Sequence, residues 1–305
     1  VSKPAKEFNI GDFLQSFPRR GLFALLFLAA TLPLFTSVTL PNKPWDDSVD
    51  FYKNLMDLKP GDKVLIGSDW TLGTRAESGG EFEALIHILM RKGVKFALYS
   101  TGDVQAPSVA REAIAEIAKD EAQKNNVPLY KPFQDYVICG FFPNSEGETL
   151  AINNNVRGAF GGRKDYPADG PPQDVLQSPV FQGVNKISDF KYLVLISPSS
   201  TEKITIQRVK NTNLMFMVTG VMFVEDHNYY ASGQLKGLIG GVKGVFDLET
   251  LMKNGGDGVP PLPGNTDPGR GTKYYPPLHA CLALLLLAVI AGNIGMWLSR
   301  KGAKK

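Results

Sequence analysis

The sequence predicts an α/β protein: a doubly wound, mainly parallel sheet flanked by two transmembrane helices. Three observations carry this reading. Short apolar runs alternate with amphipathic stretches through the middle of the chain, which is the rhythm of strand and crossover helix. Those runs are apolar throughout instead of alternating, as strands covered on both faces must be. At the two ends, residues 21–40 and 278–298 are apolar over roughly the 20 residues that match a hydrocarbon core of about 30 Å.

Taken in order, residues 1–20 form a basic tail with Lys3, Lys6, Arg19 and Arg20, and 21–40 form the first anchor. A removable leader has the same order of charge and apolar stretch, but no small-x-small cleavage site follows, which favours a retained helix. Residues 41–253 are the soluble α/β domain. Within it, 63–68 (K-V-L-I-G-S) reads as a strand and 77–91 as a helix, with Phe82, Leu85, Ile86 and Leu89 at helical spacing. Residues 94–100 are the second strand, and 108–124 an amphipathic helix with Val109, Ile114 and Ile117 inward. The third strand covers 135–141, a moderate helix 149–159, and a Gly/Pro/Asp-rich loop 161–179. The fourth strand is 192–196 with its helix at 201–209, the fifth is 214–224, and 229–252 is the last helix. Residues 254–277, dense in Gly and Pro, read as an extended tether. The second anchor, 278–298, and a basic tail, 299–305 with Arg300, Lys301, Lys304 and Lys305, complete the order.

The chain has 33 basic and 30 acidic residues, a net charge of +3, and the basic excess lies in the tails. Lys and Arg stay on the cytoplasmic side, so both ends are expected inside and the domain outside. The expected location is a bacterial inner membrane, two-pass, with the soluble domain extracytoplasmic. No clustered basic and aromatic stripe points to nucleic acid. Cys139, in a buried strand, and Cys281, at an anchor, are expected as two free thiols.

Ligands of open parallel sheets collect at the carboxyl ends of the strands. Those loops nominate Asp69 and Trp70, Thr101 and Asp103, Ser197 and Ser199, and Asp226. The segment after the first strand, G-S-D-W-T-L-G-T-R-A-E-S-G-G, is not a dinucleotide G-x-G-x-x-G, and no G-x-x-x-x-G-K-[ST] run exists. Gly237, Gly240, Gly241 and Gly244 fall inside the predicted last helix, where i, i+4 spacing favours helix packing. Anion binding would instead need free amides at a helix start. His87, His227 and His279 are scattered, and Glu225-Asp226-His227 reads as a helix cap ahead of Tyr229. No metal or cofactor is therefore expected. Ser68 is not in G-x-S-x-G, and Cys139 is not on an elbow. Asp69 with Glu77 could do acid–base work, but Glu77 more simply complements its own helix terminus. In the second anchor Ala288, Gly292 and Gly295 allow close helix approach, and Asn293 seeks a hydrogen bond in lipid. Either the first anchor, through Ala29, Ala30 and Thr31, or another subunit can supply the partner; a homo-oligomer is compatible with both.

Three segments, G-S-D-W-T-L-G-T-R-A-E, G-Q-L-K-G-L-I-G-G-V-K-G-V-F-D-L-E-T-L-M and H-A-C-L-A-L-L-L-L-A-V-I-A-G-N-I-G, resemble an uncharacterised bacterial family of Rossmann-like α/β domains anchored by one membrane helix at each end. The architecture is distantly similar to the auxiliary ectodomains of gliding-motility-type ABC transporters. The resemblance implies binding or assembly and transfers no catalytic residue. The expected function is a non-catalytic, membrane-anchored subunit that binds partner proteins or a ligand within a larger membrane complex. The alternatives are an envelope enzyme using Asp69, Glu77, Ser197 and Asp226, or a transport-linked solute receptor.

Overall fold

The computed structural model describes residues 10–36 and 40–302, the side chains of Asp12 and Lys301 excepted. Lys3, Lys6, Lys304 and Lys305, and positions 37–39 of the first apolar run, lie outside the described residues. The chain divides into an α/β unit, Asn42–Thr272, and a second unit made of Val1–Pro41 with Lys273–Lys305.

In the second unit, α1 (Ile10–Gln15) is followed by α2 (Arg19–Thr31) and a 3-10 turn at Leu32–Phe35. No residue of α2 is buried. Its 13 residues span about 20 Å at 1.5 Å per residue, short of a hydrocarbon core. Pro33 accounts for the stop: it has no N–H to continue the α ladder, and the chain goes on as the 3-10 turn with Leu32 still at φ -56°, ψ -43°.

The α/β unit opens with α3 (Asp46–Met56), then β1 (Lys63–Ser68), α4 (Ser78–Arg91), β2 (Lys95–Ser100), α5 (Ala106–Asn125) and β3 (Tyr136–Phe141). Pro107 lies in the first turn of α5, where its missing N–H costs nothing, and Asn126 ends the helix in the left-handed region at φ 53°. α6 (Ser145–Asn154) and α7 (Val156–Phe160) are two helices where one was expected, because Asn155 breaks the run and its side chain accepts from Gly158 N. The expected 161–179 loop contains a two-stranded antiparallel ribbon, β4 (Lys164–Asp165) with β5 (Gln173–Asp174). β6 (Tyr192–Ser197) and α8 (Thr201–Arg208) follow as read.

The next stretch corrects the sequence reading. The fifth main strand, β7 (Leu214–Val218), stops six residues early, and 220–231 form α9 (Gly220–Ala231). The supposed last helix then splits into a sixth main strand, β8 (Leu235–Gly240), and α10 (Gly241–Asn254). Gly237 and Gly240 are thus strand residues, Gly241 is the first residue of α10, and Gly244 lies in its first turn. A side chain at Gly237 would stand 2.5 Å from the Phe51 Cα, so α3 packs directly on bare β8 backbone.

All six main strands are parallel, in the order β3-β2-β1-β6-β7-β8. The order reverses at β1 and β6, which is where a crevice opens in such sheets. One core lies on the α3, α4, α5 and α10 face, with Phe51, Tyr52, Phe82, Leu89 and Leu248 among its members. The other lies on the opposite face, with Phe160, Phe181, Phe190 and Phe216.

The expected extended tether is partly docked on the domain. Val259 and Leu262 are buried, Tyr52 OH donates to Pro260 O at 3.0 Å, and Arg91 donates to Asn265 O at 2.7 Å and Thr266 Oγ1 at 3.0 Å. From Arg270 the chain is helical, as α11 (Arg270–Gly302), with Pro276 and Pro277 inside it. Among the described residues α11 is the one helix long and apolar enough to cross a membrane, where two were expected. Gly295 meets α1: a side chain there would lie 3.0 Å from Gly11 O. Ala288 and Asn293 are exposed, a Cβ built on Gly292 meets nothing within 4 Å among the described residues beyond its own helix backbone, and Asn293 bonds back to Val289 O at 2.9 Å on its own helix.

Candidate functional site

The switch point is organised by one carboxylate. Asp69 follows β1 and is 4 % exposed; its backbone N donates to Ile196 O of β6 at 3.0 Å. Oδ1 accepts from Ser100 Oγ at 2.8 Å and from the amides of Thr101 and Gly102, both at 2.9 Å. Oδ2 accepts from Thr201 Oγ1 at 3.1 Å. A side chain at Gly102 would sit 2.7 Å from the Asp69 Cγ, so the loop after β2 wraps the carboxylate closely. Thr201 Oγ1 also meets Ser197 Oγ at 2.7 Å and Ser199 Oγ at 3.5 Å. Asp103 connects through its carbonyl, which accepts from Ser100 Oγ at 3.1 Å, while its carboxylate accepts from Gln105 N at 2.7 Å just ahead of α5.

Five of the seven residues nominated from the sequence, Asp69, Thr101, Asp103, Ser197 and Ser199, thus share one hydrogen-bond network at the carboxyl ends of β1, β2 and β6. Ser100 and Thr201 complete it. Ser100 is the last residue of β2 and was read only as part of a strand. Chemically this network is a clamp: four donors converge on Asp69, and its strongest acceptor directions are taken up by the protein itself.

Trp70 is not part of that network. Its ring is buried against Phe82, with centroids 5.3 Å apart, and its Nε1 has no hydrogen-bond partner. Asp226 is also elsewhere. It was expected in a loop capping a helix at Tyr229, but it lies within α9 and is 0 % exposed. The early end of β7 is the reason, since it moves residues 220–231 from strand and loop into a helix. The Asp226 charge acts on Glu202 in the first turn of α8, also 0 % exposed, and among the described residues no other residue hydrogen-bonds to their four carboxyl oxygens. Burial and the neighbouring Asp226 push Glu202 up to about 7. Burial and the Glu225 charge raise Asp226 to about 6. Lys203 pairs with Glu225 at 2.7 Å beside them.

Glu77 corrects another expectation. It stands at the N-cap of α4 without capping it, and its Oε2 accepts from Gly220 N, the first residue of α9, at 2.8 Å. The sequence misses this relation because α9 itself was hidden in an apolar run.

A separate cavity of about 220 Å³ lies among α4, α5, α10 and the docked 265–270 segment. It is lined by ion pairs, Arg270 with Glu83 at 2.8 Å and Lys124 with Asp267 at 2.7 Å. His87 and Arg91 also line it, His87 Nδ1 lying 2.5 Å and Arg91 2.8 Å from Glu121. Burial works to raise Glu121, but the hydrogen bonds from His87 and Arg91 outweigh it and hold the carboxyl below its usual range. Among the described residues no three His, Cys, Asp or Glu side chains are grouped to hold a metal ion.

The fold and the site define a Rossmann-like α/β unit with an internally clamped switch point. Comparisons with protein families, curated proteins and solved structures found no match to this chain.

Proposed function

We propose that this chain is a non-catalytic subunit of a larger membrane complex, held by its two apolar ends, whose α/β unit binds partner proteins or a ligand on the extracytoplasmic side of a bacterial inner membrane. The observation that carries the proposal is the pairing of an α/β unit with α11, whose most apolar 18-residue stretch is left almost entirely uncovered among the described residues. A surface of that composition needs lipid or other helices around it. The clamp at Asp69 argues against the enzyme alternative, because a carboxylate accepting four hydrogen bonds is poorly placed to take a substrate proton. Within this proposal the chain belongs with the anchored bacterial α/β domains its motifs resemble, and its uncovered Ala288, Gly292 and Asn293 face meets another subunit.

The test is gentle detergent extraction of the native membrane followed by sizing and mass spectrometry. Other membrane proteins in reproducible stoichiometry are the expected result. A lone monomer would refute the assembly role.

A further inference from the structure

We propose that the cavity among α4, α5, α10 and the docked 265–270 segment binds a small zwitterion, an α-amino acid with a short side chain, whose carboxylate is taken by Arg270 and whose ammonium is taken by Glu83. The inference deepens the ligand-binding half of the proposed function and rests on it, while the assembly role stands or falls separately.

The two walls of the cavity have different origins. On one side α4 contributes Gly80, Glu83, Ala84 and His87, which share a helical face at i, i+3 and i+4 spacing. On the other runs the segment that leads into α11, and it is fastened at both ends. Asn265 N donates to Asn125 Oδ1 at 2.6 Å, while Gly271 N and Thr272 N donate to the buried Glu249 at 2.8 and 2.7 Å. Between these fastenings a space of about 220 Å³ stays open. Drug-sized ligands fill pockets of roughly 300–1,000 Å³, so this occupant is smaller.

Arg270 supplies the first half of the recognition. A Cβ on Gly80 would lie 3.0 Å from the Arg270 Cβ and 3.5 Å from its Cδ, so the arginine runs along bare α4 backbone. Its Nε donates to both Glu83 oxygens, at 2.9 and 2.8 Å, and its terminal nitrogens have no partner among the described residues. A guanidinium engaged only through Nε keeps the N–H groups that grip a carboxylate in two parallel bonds. His87 adds a ring nitrogen, since Nδ1 meets Glu121 at 2.5 Å while Nε2 has no partner among the described residues.

Glu83 supplies the second half. A carboxylate has about four acceptor directions, and Arg270 Nε does not exhaust them. The two side chains touch at 2.8 Å, so donor and acceptor lie side by side, as carboxylate and ammonium do on one α-carbon. Lys124 and Asp267, paired at 2.7 Å, keep the lining mixed in sign, and a lone anion or a lone cation would meet like charge. Ala84, Met252 and Pro268 give apolar surface for a short side chain. A ligand held by Glu83 and Arg270 together ties the segment to α4.

The experiment uses the whole chain in detergent. Glycine, L-alanine, L-serine and L-valine are titrated, each against the carboxylate and the amine that keep one of its two charges; for alanine these are propionate and ethylamine. The expected result is saturable binding of at least one of the four, roughly tenfold or more tighter than either single-charge compound, with slower proteolysis within 255–269 when it is bound. Arg270→Lys keeps a cation beside Glu83 without the fork, and Glu83→Gln keeps the shape without the charge; each is expected to weaken binding roughly tenfold or more. No saturable binding by any of the four, equal binding of a single-charge compound, or unchanged affinity in both variants overturns the proposal. Should Arg270→Lys not fold, Glu83→Gln decides on the same criterion. Stoichiometric membrane partners without amino-acid binding would overturn this inference alone, and binding by a lone monomer would remove only the assembly role.

Discussion

Thr201 Oγ1 donates to Asp69 Oδ2 at 3.1 Å, and through that bond the helix after β6 is tied to the end of β1 across the point where strand order reverses. Because Asp69 Oδ1 holds the loop after β2 as well, a single carboxylate joins three neighbouring segments.

Removing that carboxylate leaves buried donors unpaired. Asp69→Ala is expected to cost about 3 kcal/mol, and Thr201→Val about 1 kcal/mol. Urea unfolding of the whole chain in detergent checks both; a loss at Asp69 no larger than at Thr201 would remove the clamp from this account.

Arg91→Leu takes the guanidinium from Glu121, which is buried and paired with Arg91 at 2.8 Å, and leaves it to His87 and Asn125. Breaking a buried pair from one side costs roughly 3 kcal/mol. The same change releases residues 265 and 266, which Arg91 holds by hydrogen bonds, so proteolysis within 255–269 is expected to accelerate in parallel with the loss of stability.

The Glu202 and Asp226 carboxyls run the other way with pH. Both are raised in the folded state, to about 7 and about 6, from ordinary values of 4.5 and 3.8. Between about pH 4 and pH 7 the folded protein therefore holds more protons than the unfolded chain, and stability falls as pH rises through that window. Glu202→Gln or Asp226→Asn is expected to stabilise by roughly 1–2 kcal/mol at pH 8 and by little at pH 4. Unfolding curves at the two pH values test this, and an equal effect at both would contradict it.

Gly241→Ala combines a left-handed backbone, φ +55°, with a contact of 2.8 Å to Gly220 N. The expected cost is about 2 kcal/mol or more. Gly292→Ala in α11, where an added Cβ meets nothing within 4 Å among the described residues beyond its own helix, is expected to leave the stability of the isolated chain unchanged and to weaken only association with other helices.

Much of this was legible in the chain. The runs at 63–68, 94–100, 135–141 and 192–196 are bounded by turns or amphipathic helices, and each is a strand of the sheet. The carboxyl-end rule then found Asp69, Thr101, Asp103, Ser197 and Ser199, because it needs only correct strand ends. It misplaced Asp226 where the strand end was wrong. Val221 and Val224 extend the apolar run of β7 although they are exposed on α9, 86 % and 76 %, so hydropathy hid the boundary that Thr219-Gly220 marks. β8 was lost for a related reason: its glycines, Gly237 and Gly240, lower strand propensity and mimic a helix-packing spacing, while what favours them is close approach of Phe51 and Phe223. The first anchor was read as one helix because hydropathy ignores the backbone break at Pro33.

Membrane retention with the α/β unit outside is the premise of the proposed function, and site-directed labelling tests it most directly. A single cysteine at the exposed Asn211, in a Cys281→Ser background with Cys139 left buried in β3, is probed with a membrane-impermeant maleimide on intact bacterial spheroplasts. Labelling without breaching the membrane is the predicted result. Labelling only after the membrane is opened would contradict the extracytoplasmic assignment and the binding role built on it.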